Sequence, residues 1–149
     1  MDWKKAAERK EADRIPFGKY DGLRVTRIIR GKKDGTMFAS EKGSPQMMFI
    51  IGDNQDREIV DMITLDERNA WKLAQYLEAM GVDMDAMTRD GVDISAFQDE
   101  AFAAAQLIDR PFAAEIRPNE QKPEFPKIVP FKRNDGAKAG VVSREDIPF

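Results

Sequence analysis

The chain has 149 residues, a net charge of −3, 42% hydrophobic and 34% charged residues, and neither cysteine nor histidine. Without those two residue types there is no thiol nucleophile, no histidine base, no Ser-His triad, no disulfide and no ordinary zinc site. The length suits one domain with a real core. No apolar run is long enough to cross a bilayer, and the charged start from Asp2 predicts no signal peptide, so a cytoplasmic protein is expected.

Residues 1–14 are expected to form an N-terminal arm. Residues 2–14 favour a short helix, but Trp3 is its only large apolar residue, so it can bury little by itself. Ile15-Pro16-Phe17-Gly18 breaks it. Lys19 to Arg30 then reads as a strand, with Leu23, Val25 and Ile29 on one parity and Arg24, Thr26, Ile28 and Arg30 on the other. Arg27 falls on the apolar parity, which predicts a bulge or bend near Thr26. Gly31 to Pro45 reads as a long polar loop that starts on Lys32 and Lys33. Its isolated pair Met37-Phe38 has two readings: a turn folded back on the core, or a stacking finger.

Gln46 to Ile51 is a dense apolar run suited to a second strand. Gly52 to Asp56 supplies turn chemistry, and Arg57 to Ile63 is a third strand rich in β-branched residues. Thr64-Leu65-Asp66-Glu67 has capping-box spacing. Ala70, Leu73, Ala74 and Leu77 then place an apolar stripe on a helix that stops at Gly81, a position suited to a left-handed cap. Tyr20 and Trp71 are expected in the core.

Val82 to Ile94 is acidic and reads as irregular. Its spacing of Asp83, Asp85, Asp90 and Asp93 fails the EF-hand template, because Met87 stands where Asp or Asn should follow and no Glu closes the loop. Ser95 to Asp109 reads as a second amphipathic helix that ends at Arg110-Pro111. Phe112 to Arg117 and Phe125 to Arg133 complete the strands around a turn at Pro118 to Pro123. Pro126 and Pro130 suit an edge strand.

Charge is segregated. From Arg14 to Lys33 there are seven bases against Asp21 alone; from Asp83 to Asp109 there are seven acids against Arg89 alone. A basic stripe on an acidic chain points to a localised anionic ligand, whereas two solvated faces are the plain alternative.

Five short strands with a helix between the third and fourth match the OB-fold, a five-stranded Greek-key barrel. The expected fold class is therefore mainly β with helices, the barrel at 15–133 carrying a helical acidic insert at 83–109. From about Phe17 to Arg133 the chain resembles phage-type single-stranded DNA-binding proteins. The resemblance rests on Gly18-Lys19-Tyr20 opening a basic strand, the Gln46 to Ile51 strand, Trp71-Lys72-Leu73 followed by Gly81, and the closing Phe112-Ala113-Ala114-Glu115-Ile116. Residues 134–149 read as a flexible tether and tip. The final Glu145-Asp146-Ile147-Pro148-Phe149 is similar to the C-terminal tip of bacterial single-stranded DNA-binding proteins, although Arg144 dilutes its acidity and Arg14-Ile15-Pro16-Phe17 repeats the tripeptide internally. A terminal Phe ring with a free carboxylate suits an apolar pocket beside a basic clamp.

The resemblance implies a non-catalytic protein that coats single-stranded DNA with little sequence preference in replication, recombination or repair. It implies no cofactor and no membrane, a monomer or homodimer, and replication or repair proteins as partners of the tip. Such binding needs a basic groove for phosphates and apolar platforms for bases. The phosphate candidates are Arg24, Arg27, Arg30, Lys32, Lys33, Lys42, Lys127, Lys132 and Arg133. The stacking candidates are Phe38, with Phe131 and Met48 behind it. Two rivals come from other classes: an OB-fold interaction module that binds a replication partner and no DNA, and a carboxylate–metal nuclease using Asp53, Asp56 and Asp61.

Overall fold

Strand β1 (Gly18–Ile29) is long enough to serve two neighbours, and that sets the architecture. Its first half pairs antiparallel with β4 (Phe112–Pro118) and its second half with β2 (Gln46–Gly52). With β3 (Glu58–Thr64) beyond β2 and β5 (Pro126–Phe131) beyond β4, the sheet runs β3-β2-β1-β4-β5. The computed structural model describes residues 2–4 and 14–132. Arg133 and the tip residues Glu145 to Phe149 therefore lie outside the described residues.

The strands curl into an antiparallel half-barrel because β1 bends twice. Its register slips between Val25 and Arg27 on the β2 side, and between Tyr20 and Leu23 on the β4 side. The first slip is the bulge expected at Thr26, whose hydroxyl donates to the Ile50 carbonyl at 3.1 Å. A bulge adds one residue to one strand and sharpens its twist. The inner face carries Leu23, Val25, Met47, Phe49, Ile51, Ile63, Phe112 and Ile116, all essentially inaccessible.

The expected closed barrel is open on one side. No ladder joins β3 to β5, and helix α1 (Ala70–Ala79) packs across the end of the gap. Leu73, Tyr76 and Leu77 of α1 plug the core. The Tyr76 ring meets Phe49 and Phe112 edge-on, with centroids 5.1 and 5.4 Å away, a geometry that suits aromatic quadrupoles. Gly81 takes φ +83° after the helix, as its sequence position requires.

Three local expectations need correction. Thr64 is not the helix cap. Its hydroxyl accepts from Gln46 Nε2, and Asp66 caps instead by accepting from the Asn69 amide at 2.9 Å, starting a 3-10 turn at Glu67–Asn69 that runs into α1. The acidic insert is more helical than its start suggested and less continuous than its end. It holds α2 (Met84–Arg89), a 3-10 turn at Ile94–Gln98, and α3 (Glu100–Leu107), with Asp83, Asp93 and Asp99 each capping one of them. The acids therefore do local work, because carboxylates accept from the open amides at helix starts. Finally, Tyr20 is only half-buried, and Trp71 is 57% exposed.

Candidate nucleic-acid interface

The outer face of β1, β2 and β3 follows from their register. Directly paired residues on antiparallel strands share a face, so three rows cross this side. Ile29, Met48 and Met62 form one; Arg27, Ile50 and Val60 form the next; Arg24, Gly52 and Glu58 form the third. The face is thus an apolar centre with two arginines along one side. Val60, in the middle of edge strand β3, is 52% exposed. Met48 lies half-buried at the middle of its row.

The loop at 31–45 rises from the end of this face and is ordered by its backbone. Lys32 donates to the Thr36 carbonyl, Phe38 to the Arg30 carbonyl, and Gln46 to the Phe38 carbonyl. Phe38 is therefore held between the end of β1 and the start of β2, half-buried, while Lys32, Lys33, Met37 and Lys42 are exposed around it. The loop backbone folds back between β1 and β2, Phe38 is half-buried without joining the core, and Met37 is exposed. Asp34 holds the turn through the Thr36 amide, which keeps its carboxyl below the usual range. The Ser44 hydroxyl and Asn69 together hold the Asp66 carboxyl low, and the Leu65 amide, donating to the Pro45 carbonyl, ties the end of the loop to the segment before α1.

The remaining candidates separate into groups. Arg30 is half-buried and donates to the Phe97 carbonyl at 2.7 Å, so it braces the acidic insert against β1. Lys132 sits beside Glu78, Asp83 and Asp85, away from the three rows. Phe131 lies on the other half of the sheet, opposite Ala113. Lys127 lies on that half too, opposite Arg117. The structure brings together Arg24, Arg27, Lys32, Lys33, Phe38 and Met48, with Lys42 farther along the same loop.

A second feature, which the sequence reading missed, is the opening between β3 and β5. It is a groove of about 620 Å³. Its lining includes Met62 from the outer face, Trp71 and Gln75 from α1, and Arg117 and Lys127. At its floor Asp61 accepts from Lys72 Nζ at 2.7 Å and from the Tyr76 hydroxyl at 2.6 Å. The helical wheel held the missed signal: Trp71 shares a face with Arg68, Gln75 and Glu78, opposite Leu73.

The three carboxylates of the nuclease reading have separate structural jobs. Asp53 accepts from the amides of Gln55 and Arg57 and from the Arg57 guanidinium. Asp56 takes φ +59° in the same turn, and Asp61 braces α1. Among the described residues no group of three or more acids is placed to hold a metal ion, and no helix is long and apolar enough to cross a membrane. No protein-family model, curated protein or solved structure matches the chain.

Proposed function

We propose that the protein binds single-stranded DNA across the outer face of β1, β2 and β3, and that its half-barrel is an OB-type fold of the phage single-stranded DNA-binding kind. The observation that carries this reading is one juxtaposition. Arg27 lies in the row next to Ile29–Met48–Met62 and Arg24 one row farther along β1, while the loop bearing Lys32, Lys33 and Phe38 stands on the other side of that strip. Phosphates meet the cations and bases meet the apolar strip and the Phe38 ring, the two components that sequence-tolerant binding requires. The role is non-catalytic, in replication, recombination or repair. The acidic tip at Glu145 to Phe149 recruits partner proteins.

The test is anisotropy of a labelled oligo(dT) strand at low and moderate salt, with a duplex control. Tight binding that falls steeply with salt and prefers the single strand is the expected result. One observation favours a second reading: exposed Val60 beside Ile50 and Met62 is also what a protein partner would bury. Absence of binding at low salt would promote that interaction module over the DNA reading.

A further inference from the structure

We propose that the open seam between β3 and β5 is a nucleotide-binding subsite, in which Trp71 stacks on a base and the Arg117–Lys127 pair holds a phosphate. This rests on the single-strand reading and extends it around the sheet edge to a place that the sequence did not mark.

Three independent features converge there. The first is the indole itself. Trp71 is more than half exposed on an amphipathic helix whose buried face is supplied by Leu73, Tyr76 and Leu77. Its backbone is anchored, because the neighbouring Lys72 is clamped to Asp61 and to the Met62 carbonyl at 2.7 and 3.1 Å. An exposed ring on a braced helix is a stacking platform whose backbone needs no ordering on binding.

The second is a charge conflict. Arg117 and Lys127 are direct cross-strand partners, with their side chains on one face of the β4–β5 ladder. Like charges directly opposite each other are destabilising. Arg117 has a side contact with Glu115 at 3.3 Å, while Lys127 forms no ion pair among the described residues. A phosphate between the two cations removes the conflict and accepts from both.

The third is the chemistry of the two edges. The Asn119 amide donates to the Phe125 carbonyl. This fixes the ladder phase, so that Lys127, Val129 and Phe131 bond to β4 while Pro126, Ile128 and Pro130 face the seam. Two of those three positions are prolines without an N–H, so the β5 edge is a poor template for an added peptide strand. On the other side, the Asp53 amide donates to Arg57 and the Leu65 amide to Pro45, which turns Val60, Met62 and Thr64 toward the seam. Apart from the Met62 carbonyl, which Lys72 holds, their backbone groups, with the side-chain amide of Gln75 and the Asn119 Nδ2 donor, provide donors and acceptors for a base edge, while Asn119 Oδ1 is taken by the Gln121 and Lys122 amides. The groove is therefore better suited to a nucleotide than to a β-strand. Met62 lines the seam and also ends the Ile29–Met48–Met62 row, so one strand can pass from the outer face into the groove without a break.

The experiment uses the full chain with Trp3→Phe, which leaves Trp71 as the only indole. Titration with an oligo(dT) of about 16 nucleotides, a length at the top of OB-type site sizes, should quench Trp71 fluorescence in step with the anisotropy change. Trp71→Ala should weaken binding roughly tenfold, the loss of one stacked base, and Trp71→Phe should restore most of it. Lys127→Glu should weaken binding while raising or preserving the melting temperature, because it turns a repulsive pair into an attractive one. A lysine that matters only for folding would not behave this way. If the oligonucleotide binds but Trp71 fluorescence does not move and Trp71→Ala binds normally, the seam subsite is wrong and the outer-face reading stands. If the oligonucleotide does not bind at all, both are wrong.

Discussion

The Tyr76 hydroxyl donates to Asp61 Oδ2 at 2.6 Å, and this bond joins the only tyrosine of α1 to the middle of β3 beneath the open seam. Burial, reinforced by the Asp61 charge, pushes the Tyr76 phenol well above its ordinary value of 10.0. A group whose native pKa is raised contributes stability that is complete below its unfolded value and lost as pH rises through the native one. Stability should therefore fall above pH 10 as unfolded tyrosine begins to ionise. Tyr76→Phe should cost about 1.5–3 kcal/mol at neutral pH, the value of a buried hydrogen bond to a charged acceptor. It should also remove part of the alkaline loss. Urea denaturation of both proteins at neutral and alkaline pH checks this, and an unchanged alkaline limb in the variant would contradict it.

The acid limb should depend on Asp53. Burial alone would raise its carboxyl. The amides of Arg57 and Gln55 and the Arg57 guanidinium outweigh burial and hold it below the ordinary 3.8. A lowered native pKa gives stability that is present above the unfolded value and lost as pH falls through the native one, so the loss begins near pH 4. Asp53→Ala should flatten the stability profile below that pH. At neutral pH it should cost about 1–2 kcal/mol, because two amides of the β2–β3 turn lose their acceptor.

The strands were legible because each has a short-range cause. Met47 to Ile51 is apolar throughout, with all but half-buried Met48 buried in the sheet; Arg27 breaks the parity of β1, and the bulge sits at its neighbour Thr26. Gly81 marked the end of α1 through its conformational freedom alone. The misjudgements involved long-range choices. Thr64 and Asp66 are both capping residues in isolation, Asp the stronger, and Thr64 is engaged instead by Gln46 on the paired strand. Residue type alone puts Trp71 in the core, whereas its place on the wheel opposite Leu73 exposes it. The seam is a property of two distant edges, and no local pattern in either strand encodes a ladder that fails to form.

Loop order should govern oligonucleotide binding. A Cβ on Gly31 would stand 2.6 Å from the Thr36 carbonyl oxygen, a backbone atom with little room to give. Gly31→Ala should therefore disturb the Lys32–Thr36 turn and the bond from Phe38 to Arg30. Binding should weaken in parallel with Phe38→Ala, whose own loss is expected to be about 1–3 kcal/mol for one base. Both variants should melt within a few degrees of the parent, because Phe38 is half-buried and the loop lies outside the core. A large drop in melting temperature for Phe38→Ala with unchanged affinity would make Phe38 a core residue.

Arg27 and Arg30 are three residues apart on one basic stretch, yet their contacts predict opposite behaviour. Arg27 is exposed in the row with Ile50 and Val60. Arg27→Ala should leave stability within about 0.5 kcal/mol, as for an exposed substitution. It should lower the slope of log affinity against log salt by roughly 0.7, one phosphate contact on a single strand. Arg30 is half-buried on the Phe97 carbonyl, and Phe97 in turn packs edge-on against Phe102 of α3 at 5.2 Å. Arg30→Ala should cost about 1–3 kcal/mol by leaving that carbonyl without its charged donor, and should leave the salt slope unchanged. Thermal melts and salt titrations of the two variants separate the roles. If Arg30→Ala lowers the slope as much as Arg27→Ala, the brace is also a phosphate contact, and the interface extends beyond β1 toward the acidic insert.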